Sequence, residues 1–266
     1  MSEELINKVL AEVVKKMGGA PPAPSAAPAP TPAAGALPAV TEFVGTNVLG
    51  DTIGMVIANV DPKLRAMMKL EKDFRSIGIL GARTGAGPHI FAADEAVKAT
   101  NSEILTIELP RDTKGGAGHG SLIIFGAEDV SDARRAVEVS LGELDRTFGD
   151  VYGNDAGHLE FQYTARASYA LNKAFGAPIG KAFGITVGAP AGIGVVLADT
   201  AVKAATVDVI GYASPAGGTS YSNEVISFLS GDSGAVRQAI IAAREVGIPL
   251  LGALGAKPES TTTPYI

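Results

Sequence analysis

The sequence of 266 residues contains no cysteine, no tryptophan and only three histidines. Without cysteine, the chain cannot form disulfides, thiolate metal sites, cysteine nucleophiles or cysteine-bound iron–sulfur clusters. The histidines, His89, His119 and His158, do not stand at a metal-ligand spacing such as HExxH. We therefore predict no metal site and no cofactor, and a core built from aliphatic side chains and small residues.

Clusters of positive charge are also missing. The formal net charge is −6 and no basic run is longer than a pair, whereas nucleic-acid binding requires clustered lysine and arginine. The apolar residues at the N-terminus are interleaved with Glu and Lys, so they do not form the apolar core of a signal peptide. The best candidate for a membrane span, residues 182–198, contains five Gly or Pro residues. We expect a cytoplasmic protein that binds neither nucleic acid nor membrane.

The first forty residues differ in composition from the rest. Within residues 1–19 the apolar side chains recur at helical spacing, with most charged side chains on the other side. Residues 20–40 form a linker rich in Pro and Ala and without charge. This pattern predicts an amphipathic docking helix on a linker, and a packed or idle extension is the alternative. The apolar residues predicted to dock are Leu5, Ile6, Val9, Leu10 and Val13.

From about residue 41 the sequence repeats itself. Residues 93–99 match residues 198–204 at six of seven positions, with an offset of 105. Farther on, Phe125, Asp129, Arg134 and Ala136 match positions 103 residues later, because the intervening glycine-rich loop differs in length. The repeat predicts two domains, residues 41–150 and 151–256, followed by a C-terminal tail over residues 257–266.

Both copies predict the same order of short strands and helices. The predicted strands are 52–59, 76–81, 103–109 and 121–125, and then 158–164, 182–188, 207–213 and 223–229. The predicted helices are 62–70, 90–100 and 130–147, and then 165–174, 193–205 and 233–246. Two equivalent i,i+4 pairs, Asp94 with Lys98 and Asp199 with Lys203, are expected on exposed helix surfaces. Because helices and strands do not alternate strictly, the fold class is α+β, an α/β sandwich in which helices pack on a small sheet.

Glycine-rich loops are the candidate sites. Segments 81–87 and 188–194 lie between a strand and a helix but match neither GxGxxG nor GxxxxGK[ST], which favours tight structural turns. The loops that follow the third strand of each copy, residues 110–120 and 214–223, can present backbone N–H groups. His119 with Asp112 could act as a base and its orienter, but no nucleophile or second acid accompanies them, so we predict no catalytic residue. The acidic run 148–155 is predicted to be a turn between the copies.

Several stretches resemble the bacterial microcompartment (BMC) domain. They are residues 183–188, 198–205, 207–212 and 230–239, the last of which is similar to the GDVxAVxxA segment of that family. The strand and helix that precede these stretches resemble the circularly permuted version of the domain. Two permuted copies in one chain resemble the trimer-forming tandem class. Segments 76–87, 110–120 and 148–153 are similar to shell proteins of propanediol-utilisation compartments.

The resemblance, which covers about residues 41–254, implies two BMC domains, each with a mostly antiparallel sheet. It implies a structural, non-enzymatic homotrimer that mimics a hexamer and tiles with other microcompartment shell proteins around encapsulated enzymes. Residues 1–19 would then dock the enclosed enzymes. The family also implies a lysine at the tile edge, but Thr84 and Ala189 occupy those positions here, so edge contacts through a lysine are not carried over.

The same resemblance implies that the two loops surround the symmetry axis and form a pore. Their glycine amides suit small polyols such as glycerol or propanediol. The residues expected to line the pore or contact such molecules are Arg111, Asp112, Thr113, Lys114, Gly115, Gly116, His119, Pro215, Gly217, Gly218, Thr219 and Ser220. A soluble small-molecule sensor made of paired α/β domains is the alternative function.

Overall fold

A computed structural model describes residues 40–70, 72–111 and 119–266 of the chain. The predicted docking helix, residues 1–19, and nearly all of the linker lie outside the described residues. Residues 112–118, in the middle of the first glycine-rich loop, also lie outside them. The described chain from residue 40 onward forms one compact unit.

The first copy forms an antiparallel sheet with three helices. Its strands are β1 (Phe43–Asn47), β2 (Thr52–Ile57), β3 (Ser76–Ala82), β4 (Glu103–Glu108) and β5 (Ser121–Ala127). Its helices are α1 (Pro62–Met68), α2 (Ala86–Ala99) and α3 (Val130–Thr147), and a 3-10 turn over Leu49–Asp51 joins β1 to β2. The strand order across the sheet is β1-β2-β3-β5-β4.

The second copy repeats this arrangement. Its strands are β6 (Val151–Asn154), β7 (Gly157–Thr164), β8 (Ala182–Ala189), β9 (Asp208–Ala213), β10 (Val225–Gly231) and β11 (Glu259–Ser260). Its helices are α4 (Tyr169–Phe175), α5 (Ala191–Ala204) and α6 (Ser233–Gly252). The strand order is β11-β6-β7-β8-β10-β9, which equals that of the first copy once β11 is set aside. The predicted repeat and the predicted antiparallel sheets with packed helices are therefore confirmed.

Local sequence signals explain where the helices begin. Asp61 precedes α1 and accepts hydrogen bonds from the backbone N–H groups of Lys63 and Leu64, and Pro62 takes the first helical position, where an N–H is not needed. Asp129 and Asp232, which match at the offset of 103, are the N-cap residues of the equivalent helices α3 and α6. The sequence match thus marks the same point of the fold in both copies.

Glycines let the long helices lie directly on the sheets. A Cβ atom at Gly78 on β3 would come within 2.6 Å of the Ala133 carbonyl oxygen on α3. In the second copy, a Cβ atom at Gly184 on β8 would come within 2.9 Å of the Val236 side chain on α6. Any larger residue would push the helix away from the sheet, so the abundance of small residues reflects close packing.

Three strands of the structure, β1, β6 and β11, were not predicted. Strands β1 and β6 were missed because each is short and contains glycine, which weakens the alternating apolar pattern. The run 148–155 is not only a turn, because its residues 151–154 form β6. Asp150 in this run is buried, and it accepts a hydrogen bond from the Arg244 guanidinium at 2.5 Å. The C-terminal segment packs beside it, since β11 pairs with β6.

The two matched ion pairs differ, contrary to the prediction. Asp199 and Lys203 form an exposed pair at 2.7 Å, as expected. Asp94 is buried, however, because α2 faces the second copy. Its carboxylate accepts hydrogen bonds from the backbone N–H groups of Ser168 at 3.0 Å and Leu171 at 3.2 Å, where α4 begins, and Lys98 lies 2.9 Å away. Burial raises the pKa of Asp94, and Lys98 opposes that effect.

One apolar core runs through both copies. Phe91 on α2 stacks on Phe183 on β8 with ring centroids 5.9 Å apart, and Phe175 on α4 stacks on the same ring at the same distance. Helix α4 of the second copy therefore packs on α2 and β4 of the first. The contact between the copies is part of the folded core, and the glycine-rich loops lie at one end of it.

Candidate functional site

The two predicted loops come together where the copies meet. The Arg111 guanidinium donates a hydrogen bond to the Ser220 carbonyl oxygen at 2.8 Å, which joins the first loop to the second. At the far end of the first loop, the His119 carbonyl oxygen accepts a hydrogen bond from the Ala86 N–H at the start of α2. Asp112, Thr113, Lys114, Gly115 and Gly116 lie outside the described residues.

The second loop has a tight and unusual backbone. Gly218 has φ of 97°, and the two residues Ser220 and Tyr221 adopt φ of 49° and 66°, in the left-handed region that disfavours side chains. The Pro215 carbonyl oxygen accepts a hydrogen bond from the Tyr221 N–H at 3.1 Å, which closes this turn. Thr219 is buried and its hydroxyl donates to the Ser222 carbonyl oxygen, so this side chain supports the loop from within.

A cavity of about 500 Å³ lies below these loops, between the copies. Its walls are mostly apolar and include Phe175, Ile185, Val187, Ile226 and Phe228. Its polar lining is formed by His119, Ser220, Glu160 and Glu224. Of the sequence-predicted residues, the structure brings His119, Gly218 and Ser220 to this cavity.

Four titratable side chains cluster beside the cavity. His158 Nε2 lies 3.4 Å from Glu224 Oε2 and 3.9 Å from Glu160 Oε1. His119 Nε2 lies 3.8 Å from Glu224 Oε1, too far for a hydrogen bond. Neither His119 Nε2 nor Glu224 Oε1 has a hydrogen-bond partner within the described residues, although both atoms are buried. The cluster therefore keeps unused hydrogen-bonding capacity at the wall of a cavity.

Burial and neighbouring charges shift the pKa values of Glu160 and His158. Burial raises the pKa of Glu160, and this effect outweighs the opposing influence of His158. For His158, burial alone would lower the pKa, but Glu224 and Glu160 reverse that effect and raise the pKa above its ordinary value of 6.5. Imidazole nitrogens and carboxyl oxygens donate hydrogen bonds when protonated and accept them when not, so the residue types of the cluster provide both capacities.

Sequence reasoning missed Glu160, Glu224 and His158 as site residues. Glu160 and His158 alternate on β7 with Leu159 and Phe161, which are fully buried in the core of the second copy. Because side chains two apart on a strand share a face, this alternation places both polar residues on the opposite face, toward the first copy. The alternation on β7 could therefore have identified His158 and Glu160 as site residues. Nothing in the sequence around Glu224 identifies that residue in the same way.

A second, more open depression of about 800 Å³ lies on the other side of the cluster. His158 and Glu160 line it together with the turn Leu49–Gly50 and residues of β6 and β7. Glu160 contributes to both hollows. Of the other members of the cluster, His158 lines only the open depression, and His119 and Glu224 line only the cavity.

The third histidine is remote from this cluster. His89 is buried on α2, where its Nε2 lies 2.6 Å from the Thr52 hydroxyl and its Nδ1 lies 2.6 Å from the Gly85 carbonyl oxygen. Burial lowers the pKa of His89 to about 4, so the ring is neutral and supports the turn before α2. Among residues 40–70, 72–111 and 119–266, no group of three His, Asp or Glu side chains could hold a metal ion. No helix in this part of the chain is long and apolar enough to cross a membrane.

Comparisons with known proteins agree with this architecture. The model of the BMC domain family matches residues 76–154 and 182–255. The chain is 63% identical to the bacterial microcompartment shell protein PduB of Citrobacter freundii over 271 residues, which cover 100% of this chain and 99% of that protein. A crystal structure of a trimeric bacterial microcompartment shell protein PduB is 54% identical, with a TM-score of 0.83 over 85% of this chain and 100% of that one. EtuB from Clostridium kluyveri is 57% identical, with a TM-score of 0.82 over 86% of this chain and 100% of its own.

Proposed function

The chain belongs to the BMC domain family, of which it holds two tandem domains, and from this premise we propose that it is a structural protein of a bacterial microcompartment shell. Two observations carry the proposal. The sheet topology repeats within one compact unit, and the chain is 63% identical over its full length to a relative named as a shell protein. The proposal includes a cytoplasmic setting, because the chain resembles proteins of compartments that lie there, and no catalytic activity of its own.

The working unit in this proposal is a homotrimer. Two domains per chain and three chains give six domains, enough for a ring that mimics a hexamer, and a similar protein of known structure is described as trimeric. Such rings would tile edge to edge with other shell proteins. Large, obligate interfaces of this kind bury on the order of 2,000 Å² or more.

Electron microscopy of the overexpressed protein is the sharpest test. A shell protein should form extended sheets or tubes, whereas the alternative, a small-molecule sensor, should remain a discrete oligomer with a tightly bound ligand. Static light scattering at micromolar concentration complements the images. A monodisperse monomer would refute the proposal.

Passage or binding of small polyols is a second part of the proposed function. The cavity between the copies offers an apolar wall for a carbon skeleton and, opposite it, carboxyl and imidazole groups for hydroxyls. A hydroxyl both donates and accepts hydrogen bonds, so it suits a cluster that has both capacities unused. His119 and Ser220, from the two loops, and Glu160 and Glu224 are the residues that we expect to contact glycerol or propanediol.

Attachment of the enzyme core is the third part. We assign it to residues 1–19 on the linker 20–40, separate from the domains 41–150 and 151–256 and the tail 257–266. A single apolar stripe cannot remain solvated and helical alone, because isolated helices of this length are marginal in water. The stripe formed by Leu5, Ile6, Val9, Leu10 and Val13 therefore calls for an apolar groove on an encapsulated enzyme.

A further inference from the structure

Two buried polar atoms face each other at the wall of the cavity between the copies. His119 Nε2 and Glu224 Oε1 lie 3.8 Å apart, and neither has a hydrogen-bond partner within the described residues. The Glu224 side chain is 2% exposed and that of His119 is 12% exposed, so bulk water has little access to either. Buried polar atoms almost always form hydrogen bonds, so a bound molecule with matching groups would satisfy this pair.

The position of the ring proton on His119 follows from the contact of its other nitrogen. Nδ1 lies 3.2 Å from the carbonyl oxygen of Leu109, which can only accept a hydrogen bond. A neutral imidazole carries one N–H, so that N–H is on Nδ1 and Nε2 is left as an acceptor. The ionised carboxylate of Glu224 is an acceptor as well. Without a further proton, the pair therefore consists of two acceptors that cannot bond to each other.

One further proton converts the two acceptors into a bonded pair. If His119 gains the proton, its Nε2 donates to the carboxylate, and if Glu224 gains the proton, its O–H donates to Nε2. Side-chain rotation that shortens the separation by about 1 Å brings the two atoms into hydrogen-bond range. Each side chain then satisfies the other, and neither is available to a ligand.

The unprotonated pair matches a diol whose hydroxyls are on adjacent carbons. Each hydroxyl donates one hydrogen bond, so two neighbouring hydroxyls supply one donor to His119 Nε2 and one to the Glu224 carboxylate. The apolar wall of the same cavity, which includes Phe175, Ile226 and Phe228, receives the carbon skeleton. A monoalcohol of the same length leaves one buried acceptor unpaired, which weakens its binding.

We propose that the protonation state of the His119–Glu224 pair controls diol binding: the unprotonated pair binds a vicinal diol, and one proton shared by the two side chains closes the pair and displaces the diol. The inference rests on the proposed polyol role, for which it names the regulation and the ligand geometry. Because the diol and the proton compete for the same two atoms, each weakens the binding of the other by the same factor. Diol binding therefore weakens as the pH falls.

The other charged groups near this pair act on the far side of the carboxylate or have partners elsewhere. His158 Nε2 lies 3.4 Å from Oε2 of Glu224, the oxygen that does not face His119, and Glu160 lies 3.9 Å from His158. Arg111 of the first loop donates to a backbone carbonyl oxygen of the second loop. His158 and Glu160 thus influence the charge at Glu224, and the test has to distinguish the two histidines.

Binding of 1,2-propanediol to the full-length protein at pH 5.5 and pH 8.5, measured by calorimetric titration, tests the inference. We expect wild type to bind the diol about tenfold more tightly at pH 8.5. At that pH, 1-propanol should bind at least about tenfold more weakly than the diol. Equal diol affinity at the two pH values would overturn the inference and leave polyol recognition standing. No diol binding at either pH would refute polyol recognition itself.

Matched variants identify the side chains that carry the pH dependence. His119→Gln should abolish the difference between the two pH values, and His158→Gln should retain it, because His158 does not line the cavity. Glu224→Gln places an N–H donor opposite Nε2 at every pH, so it should bind the diol at pH 8.5 as weakly as wild type does at pH 5.5. Retention of the pH dependence by folded His119→Gln, checked by circular dichroism, would overturn the assignment. If a variant does not fold, equal affinity of wild type for 1-propanol and the diol would still overturn the inference.

Discussion

Removal of the Asp94 carboxylate should destabilise the protein far more than removal of its sequence-equivalent, Asp199. Both residues sit in nearly identical seven-residue segments, and both lie four residues before a lysine. Of the two, only Asp94 is buried, and only Asp94 accepts hydrogen bonds from the backbone N–H groups at the start of α4. The pair therefore offers a matched comparison of one chemical change in two environments.

The size of the expected destabilisation follows from the N–H groups that lose their acceptor when Asp94 is replaced. Asp94→Ala removes the acceptor at the start of α4, and loss of an N-cap acceptor costs roughly 0.5–2 kcal/mol. The N–H groups of the half-buried Ser168 and the buried Leu171 lose their partner, and an unsatisfied buried donor costs about 1–3 kcal/mol. These costs overlap, so we expect a loss of about 2 kcal/mol in the free energy of unfolding. An exposed i,i+4 ion pair contributes roughly 0.3–0.5 kcal/mol, so we expect Asp199→Ala to lower the free energy of unfolding by about that amount.

Urea denaturation monitored by circular dichroism, at one fixed protein concentration, measures both losses. The concentration is held constant because assembly contributes to apparent stability. Asp94→Asn retains one acceptor oxygen and should fall between wild type and Asp94→Ala. Equal losses for Asp94→Ala and Asp199→Ala would refute the reasoning, since they would mean that the hydrogen bonds of Asp94 between the two copies contribute nothing to stability.

Three further predictions concern the cavity cluster and the N-terminal segment. Because the pKa of His158 is raised in the folded state, its contribution to stability is fully present below pH 6.5 and is lost as the pH rises through that pKa. Urea denaturation of wild type and His158→Gln at each pH measures this contribution. A stability difference between the two proteins that stays constant from pH 6 to pH 9 would contradict the prediction. Crystals soaked in glycerol or propanediol should show a bound polyol beside Glu224, and the same soak of Glu224→Ala crystals should not; an empty cavity in both would remove the support for polyol recognition. Deletion of residues 1–38 should leave the trimer intact and yield shells with little attached enzyme, and replacement of Ile6, Val9 and Val13 by Glu should do the same. Purified compartments that retain their full enzyme content in both variants would refute the docking role.

The repeat made much of the fold predictable from the sequence. Helix α3 was predicted with its correct bounds, and most strands were placed within about two residues, because their apolar runs end at glycine or charged residues. Strand β1 could not be predicted in this way, since its five residues include Gly45 and it is partly exposed. Its place in the sheet depends on β2 rather than on its own composition.

The candidate site was less predictable because it is made by tertiary contact. Asp94 and Asp199 have the same local sequence, and only the packing of α4 on α2 makes one of them buried. Glu160 and Glu224 lie 64 positions apart in the chain, and no motif joins them. Glycine-rich loops were a correct guide to the region, but the ionisable groups beneath them come from positions that resemble ordinary strand residues.

The core that runs through both copies has a consequence for how this architecture evolves. In a ring of six identical domains, every mutation at a seam is imposed on all six seams at once. Here the contact between the two copies, with Phe91, Phe183 and Asp94, is encoded separately from the exposed surfaces of α1, α5 and β9. Selection can therefore change the buried contact between the copies, on which folding depends, without changing these exposed surfaces. Two copies in one chain thereby allow the stability of the building block to vary independently of the surface that it exposes.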